Sequence, residues 1–130
     1  MRSIPKLLVI DDDADTLGLL RTVLARNQYD ATTASNWQEV TDRLQLASST
    51  DEPYDLIILD LMMPERSGFD ILRSLQVVLA PMPPVIILSA KNTVDDMLKA
   101  RDLGAAKYLV KPTKPEKLIE AVRRVLGQTT

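Results

Sequence analysis

Two apolar runs in this chain end abruptly at carboxylates. Leu7–Ile10 leads straight into Asp11, Asp12 and Asp13, and Leu56–Leu59 leads into Asp60. Short, uninterrupted runs of Leu, Ile and Val read as strands buried on both faces, as inside a parallel sheet. If the two strands lie side by side, three or four like charges meet at one edge of that sheet. Two carboxylates ~4 Å apart repel by about 4 kcal/mol at an effective dielectric near 20. No fold keeps that arrangement without a cation or shared protons. The pattern is that of a chain built to hold a divalent metal beside a reactive aspartate.

The remainder of the chain supplies the sheet. Strand-like runs at Lys6–Ile10, Tyr29–Thr33, Asp55–Leu59, Val85–Leu88 and Lys107–Val110 alternate with five amphipathic stretches. That alternation signals an α/β fold, a parallel sheet covered by helices. Tyr29–Thr33 is only modestly apolar and reads as an edge; Val85–Leu88 reads as a central strand. Helical spacing puts Leu17, Leu20, Val23 and Leu24 on one stripe, Trp37, Val40 and Leu44 on another, and Ile71, Leu72, Leu75, Val78 and Leu79 on a third. Leu118, Val122, Val125 and Leu126 form the last. Ser35 with Gln38 reads as a capping box, Ala47–Pro53 as a polar loop, and Met62–Ser67 as a loop ahead of a helix from about Gly68. The prolines of Ala80–Pro84 break that helix. Thr93 caps the next, with Asp95 and Asp96 at the favourable end of its dipole. Gly104 is placed to end it, and Pro115 opens the last helix.

With 130 residues the chain is expected to form one domain, 1–130, with its core at about 6–126. A formal net charge of −2 weighs against direct nucleic acid contact, which needs a basic face. The lack of cysteine excludes disulfides and thiolate metal sites and fits a reducing compartment, so a cytoplasmic location is expected. The lack of histidine means that this chain supplies no imidazole base and no phosphohistidine. No apolar run is long enough to span a bilayer, and the four apolar residues after Arg2 and Lys6 make no signal peptide.

In an open parallel sheet, sites form beyond the carboxyl ends of the strands, where strand order reverses. The residues that follow the strands here are Asp11 and Asp12, Asp60, Ser89, and Lys111 with Pro112. Carboxylates and water suit Mg2+. A lysine and a hydroxyl suit a phosphoryl group, and a carboxylate among them can be a nucleophile toward phosphorus. Phosphoryl transfer needs mainly positioning and charge neutralisation, which this set supplies.

At these residues the chain resembles the receiver domain of two-component response regulators. The segments LLVIDDD, YDLIILDLMMPERSG, PVIILSA and GAAKYLVKP carry the resemblance in order, and it covers essentially Lys6 to Leu126. The resemblance implies a doubly wound, flavodoxin-like three-layer sandwich: five parallel strands in the order 2-1-3-4-5, with five helices. It also implies a phosphorylation-dependent switch rather than an enzyme with free-substrate turnover. Its partners would be a sensor histidine kinase or phosphotransfer protein and a downstream effector domain or protein. The state expected is a monomer or a phosphorylation-dependent dimer, with no membrane contact.

Carried over residue by residue, Asp60 would be the phosphoacceptor, Asp12 a direct Mg2+ ligand, Asp11 a ligand through water, and the Met62 carbonyl a further ligand. Ser89 would bond the phosphoryl group and Lys111 pair with it. Tyr108 stands where the family has its switch aromatic, and the Lys111–Pro112 bond is typically cis in the family. Output would leave by the face of the fourth helix, fifth strand and fifth helix, where Lys99, Lys107 and Arg123 are expected to be exposed. The chain departs from the pattern at Ser89, where Thr is commoner; at Thr113, where Phe often stands; and at Ala106 and Lys107, where dimer-forming members carry acidic residues. Met62 and Lys91 occupy positions that tune dephosphorylation in the family. A bulky Met62 is expected to slow hydrolysis.

Other residues carry plainer readings. Asp13 and Asp15 fit the start of a helix dipole, Trp37 partly buried packing, Met62-Met63 loop packing, Gly68 a relaxed turn, and Arg123 and Arg124 a solvated helix face. A haloacid-dehalogenase-like phosphatase would need a second carboxylate two residues after the nucleophile, where Met62 stands. A flavodoxin-like cofactor binder would need a phosphate-cradling glycine loop, which Gly18, Gly68, Gly104 and Gly127 do not form. A degenerate receiver acting only as an interaction module is opposed by the intact set of five: Asp11, Asp12, Asp60, Ser89 and Lys111.

Overall fold

Five strands and five helices alternate along the chain in the computed structural model, which describes residues 4–64 and 66–128. Arg2 and Glu65 lie outside the described residues. The strands are β1 (Lys6–Ile10), β2 (Asp30–Ala34), β3 (Leu56–Leu59), β4 (Val85–Ser89) and β5 (Lys107–Val110); the helices are α1 (Ala14–Arg26), α2 (Trp37–Ser49), α3 (Gly68–Val78), α4 (Val94–Asp102) and α5 (Pro115–Val125). All strands join one parallel sheet in the order β2-β1-β3-β4-β5, the doubly wound arrangement expected. β2 and β5 are the edges, which explains why both are less apolar than the three strands between them.

Strand pleating sorts the core into two layers. Leu8, Ile10, Ile57, Leu59, Val85 and Ile87 face one side and pack with residues of α2, α3 and α4. Leu7, Val9, Leu56, Ile58, Ile86 and Leu88 face the other and pack with α1 and α5. The three-layer sandwich follows, because a central strand apolar on both faces is covered only by helices on both sides.

Several local expectations need correction. α2 is capped by Asn36, whose side-chain oxygen accepts from the Glu39 N–H, while Glu39 reaches back to the N–H and hydroxyl of Ser35. The box therefore uses Glu39, one residue past Gln38, because a carboxylate accepts two bonds there where an amide oxygen is weaker. α2 also continues to Ser49 through part of the expected Ala47–Pro53 loop, since Ala47 is buried under it. Val78 ends α3 facing solvent, with Leu79 rather than Val78 packed on the core. No helix among the described residues is long and apolar enough to cross a membrane.

Candidate functional site

Strand register builds the site. Ile10 pairs with Leu59, so the next residues, Asp11 and Asp60, leave the sheet side by side, with the Asp60 N–H bonded to the Ile10 carbonyl at 3.0 Å. On the next rungs Ser89 pairs with Val110, and the Lys111 N–H bonds the Ser89 carbonyl at 2.9 Å. Four strands thus deliver two carboxylates, a hydroxyl and an ammonium to one edge.

Side-chain geometry completes it. Carboxylate oxygens of Asp11, Asp12 and Asp60 all lie within 4.8 Å of one another. Asp11 and Asp60 are buried, while Asp12 is exposed. The Lys111 ammonium sits between the two buried acids, 2.7 Å from Asp11 Oδ2 and 3.2 Å from Asp60 Oδ2. The cation demanded by the carboxylate cluster is therefore supplied in part by the chain itself. One ammonium against three carboxylates still leaves the cluster negative, so the donor set fits a further hard cation bound through oxygen. Each buried acid also accepts a backbone N–H: Asp11 Oδ1 from Asp13 at 3.0 Å and Asp60 Oδ1 from Met62 at 3.0 Å.

The electrostatics follow the burial. Desolvation pushes the Asp11 carboxyl above its ordinary range; bonds from Lys111 and the Asp13 N–H oppose that, and repulsion from Asp60 adds to it. Burial works against the Lys111 ammonium, but the hydrogen bond and charge of Asp11, helped by Asp60, outweigh it and raise the pKa.

Ser89 is fully buried, and its Oγ accepts from the Lys91 N–H at 3.3 Å. The Tyr108 phenol donates to the Lys91 carbonyl at 2.7 Å, which closes a small circuit among Ser89, Lys91 and Tyr108. Desolvation raises the phenol pKa, repulsion from Asp96 and Asp60 adds to this, and the Ser89 hydroxyl opposes it. The Lys111–Pro112 peptide is cis, as is Ala80–Pro81, for which the sequence carried no signal. Met62 is 51% exposed. Asp13 caps α1, accepting from the Asp15 N–H and the Thr16 hydroxyl.

Two features escaped the sequence reading. A cavity of about 250 Å³ opens beside Asp12, lined by Ser35, Trp37, Met63, Pro64 and Arg66 among others, with the Arg66 guanidinium 5.0 Å from the Trp37 ring centre. Residues 29 positions apart give no pattern that joins them. The second is Gly68, read as a relaxed turn. It is pressed against the loop that follows Asp60: its N–H bonds the Leu61 carbonyl at 3.0 Å, and a Cβ there would lie 2.2 Å from Leu61 Cα.

Comparisons with known proteins place the chain in a family. The family model described as response regulator receiver domain matches residues 7–123. The transcriptional regulatory protein CpxR of Escherichia coli is 32% identical over 124 residues, which cover 95% of this chain and 50% of that protein. ResD of Bacillus subtilis is 35% identical over 125 residues, covering 96% of this chain and 49% of its own length. The chain thus spans about half the length of the curated relatives it matches. Among solved structures, the chemotaxis protein CheY4 of Vibrio cholerae superposes with a TM-score of 0.84 at 26% identity, covering 95% of this chain and 99% of that one. The receiver domain of the Francisella response regulator 1452 does so with a TM-score of 0.81 at 32% identity, covering 97% and 99%. The chain belongs to the response regulator receiver domain family of two-component signalling.

Proposed function

We propose that this chain is a phosphorylation-dependent signalling switch in which Asp60 accepts a phosphoryl group from the phosphohistidine of a sensor histidine kinase or a phosphotransfer protein. The observation that carries the reading is Lys111 bridging Asp11 and Asp60, with Asp12 in the same cluster. A carboxylate oxygen of Asp60 forms the new P–O bond as the donor's P–N bond breaks, and the electron pair stays on the donor's imidazole. Lys111 moves its charge from the carboxylate of Asp60 to the transferred phosphoryl oxygens. Asp11, Asp12, Asp60 and the Met62 carbonyl would hold Mg2+, which when bound neutralises phosphoryl charge. The Ser89 hydroxyl donates to a phosphoryl oxygen, and Tyr108 responds through the bonds both make to Lys91.

The switch biases an equilibrium between two arrangements of the α4–β5–α5 face rather than building a new fold. Lys99, Lys107 and Arg123 are exposed on it. The reading is of one receiver domain with its core at about 6–126, working in the cytoplasm without turnover of a free substrate, as a monomer or a phosphorylation-dependent dimer. Relatives twice this length are named as transcriptional regulators, which fits a downstream effector domain or protein. Met62 beside the site slows hydrolysis; a phosphoryl lifetime of only seconds would count against that part.

Intact mass after incubation with acetyl phosphate and Mg2+ tests the proposal, with Asp60→Asn alongside. One labile phosphoryl group gained by the parent alone, and lost with a chelator, is the expected result. No gain by the parent would overturn it.

A further inference from the structure

Helix α4 is thinly attached to the core. Among the described residues it buries Ala100 alone, and its Val94 and Leu98 are 69% and 42% exposed. An element with so little buried apolar surface opens at low free energy, so the polar contacts that hold it set its position. Two of these reach α3. The Lys99 ammonium lies 4.4 Å from the centre of the Phe69 ring, and the Gln76 amide donates to the Leu103 carbonyl just after α4.

Phe69 is the significant partner, because of where α3 begins. It follows Gly68, whose N–H bonds the Leu61 carbonyl and where the backbone of Asp60 and Leu61 leaves no room even for a Cβ, which would lie 2.2 Å from Leu61 Cα and 2.8 Å from the Asp60 carbonyl oxygen. Phe69 is itself buried. Any displacement of the loop after Asp60 is passed to Gly68 by hard contact, and from Gly68 to the adjacent ring. Close-packed backbone transmits such a shift rather than absorbing it. Lys99 stands at the far end of this path, on α4.

We propose that Lys99, seated over Phe69, is a positioning residue that latches α4 to the first turn of α3 and couples α4 to the Asp60 loop, by a path separate from Ser89 and Tyr108. The link to phosphorylation rests on the function proposed above; the latch itself does not. Coupling of this kind is established by non-additivity rather than by proximity.

The test is deuterium exchange of α4 amides in the full chain, before and after acetyl phosphate with Mg2+, for the parent, Lys99→Met, Phe69→Leu and the double variant. Lys99→Met keeps a long apolar stem and removes the charge. In the unmodified protein it is expected to speed α4 exchange about two- to fivefold, the range an exposed cation–π contact carries, with exchange in the central strands unchanged. Phe69→Leu is expected to do the same, and the double variant no more than either alone. Phosphorylation is expected to change α4 exchange less in Lys99→Met than in the parent. Parent-like α4 exchange in unmodified Lys99→Met, or effects that sum in the double variant, would overturn the latch. A full parent-sized response of α4 to phosphorylation in Lys99→Met would overturn the coupling. If the parent itself gains no phosphoryl group, the function proposal fails, and the unmodified comparison still decides the latch.

Discussion

Replacing Gly68 by alanine separates packing from propensity, because the two predict opposite signs. Gly68 is the first residue of α3, with a backbone that any residue adopts, so helix propensity alone favours alanine by up to about 1 kcal/mol. The added Cβ, however, would lie 2.2 Å from Leu61 Cα, 2.8 Å from the Asp60 carbonyl oxygen and 2.9 Å from the Leu61 carbonyl carbon. All three are backbone atoms, so no side chain can swing away. Restoring ordinary contact at 3.4 Å requires the loop and α3 to part by about 1.2 Å. Overpacking of this kind typically costs about 1–3 kcal/mol; a clash this deep against backbone sits at the top of that range, and less about 1 kcal/mol of propensity the net expectation is a loss of about 2 kcal/mol. For a domain of this size that is a fall in Tm of roughly 6–10 °C. The shift falls on the peptide that follows Asp60, the proposed phosphoacceptor, where a displacement of about 1 Å can slow chemistry by as much as 100-fold. Thermal melts followed by circular dichroism, with acetyl phosphate labelling rates, give both numbers. A Gly68→Ala protein as stable as the parent and labelled at the parent rate would refute the packing argument.

Other outcomes follow from the same geometry. Mg2+ should raise the unfolding free energy of the parent in urea titrations by about 1.4 kcal/mol at ten times its dissociation constant, and Asp12→Asn should abolish most of that gain; an equal gain in the variant would remove Asp12 from the proposed metal site. Because burial raises the Asp11 pKa above its ordinary 3.8, the folded state holds that proton more tightly than the unfolded one. The stabilisation is present below about pH 3.8 and is lost as pH rises through the folded value. Asp11→Asn should therefore gain stability relative to the metal-free parent between pH 4 and neutrality in urea titrations, and a constant difference across that window would contradict the assignment. At Gly18, inside α1, an added Cβ would meet nothing within 4 Å, so Gly18→Ala should stabilise by about 1 kcal/mol; a neutral or lower Tm would show that the helix needs glycine for another reason.

Local chemistry made much of this protein legible in advance. Apolar runs four residues long and ending in aspartate are short enough to read as buried strands rather than helices, and Leu56–Leu59 is at most 1% exposed. Helix stripes, the Thr93 cap and the Gly104 stop depend on neighbours within a few residues, and all are seen except the inward placement of Val78, which faces solvent. The misreadings fall where two local signals compete. Gln38 and Glu39 both offer a capping oxygen, and the charged one takes it. Ala47 looks like loop among serines and threonine, but lies over an apolar layer that extends α2.

What the sequence by itself determined is the inventory: which residues end strands, and therefore which carboxylates, hydroxyl and ammonium are available. What the tertiary structure decided is their meeting. Lys111 reaches Asp11 across 100 positions and Asp60 across 51, and Phe69 meets Lys99 across a helix boundary. Such contacts depend on strand order and register, which are properties of the whole sheet. A side chain's partners across a parallel sheet are set by crossovers of a dozen or more residues, a distance over which sequence pattern carries no information about approach.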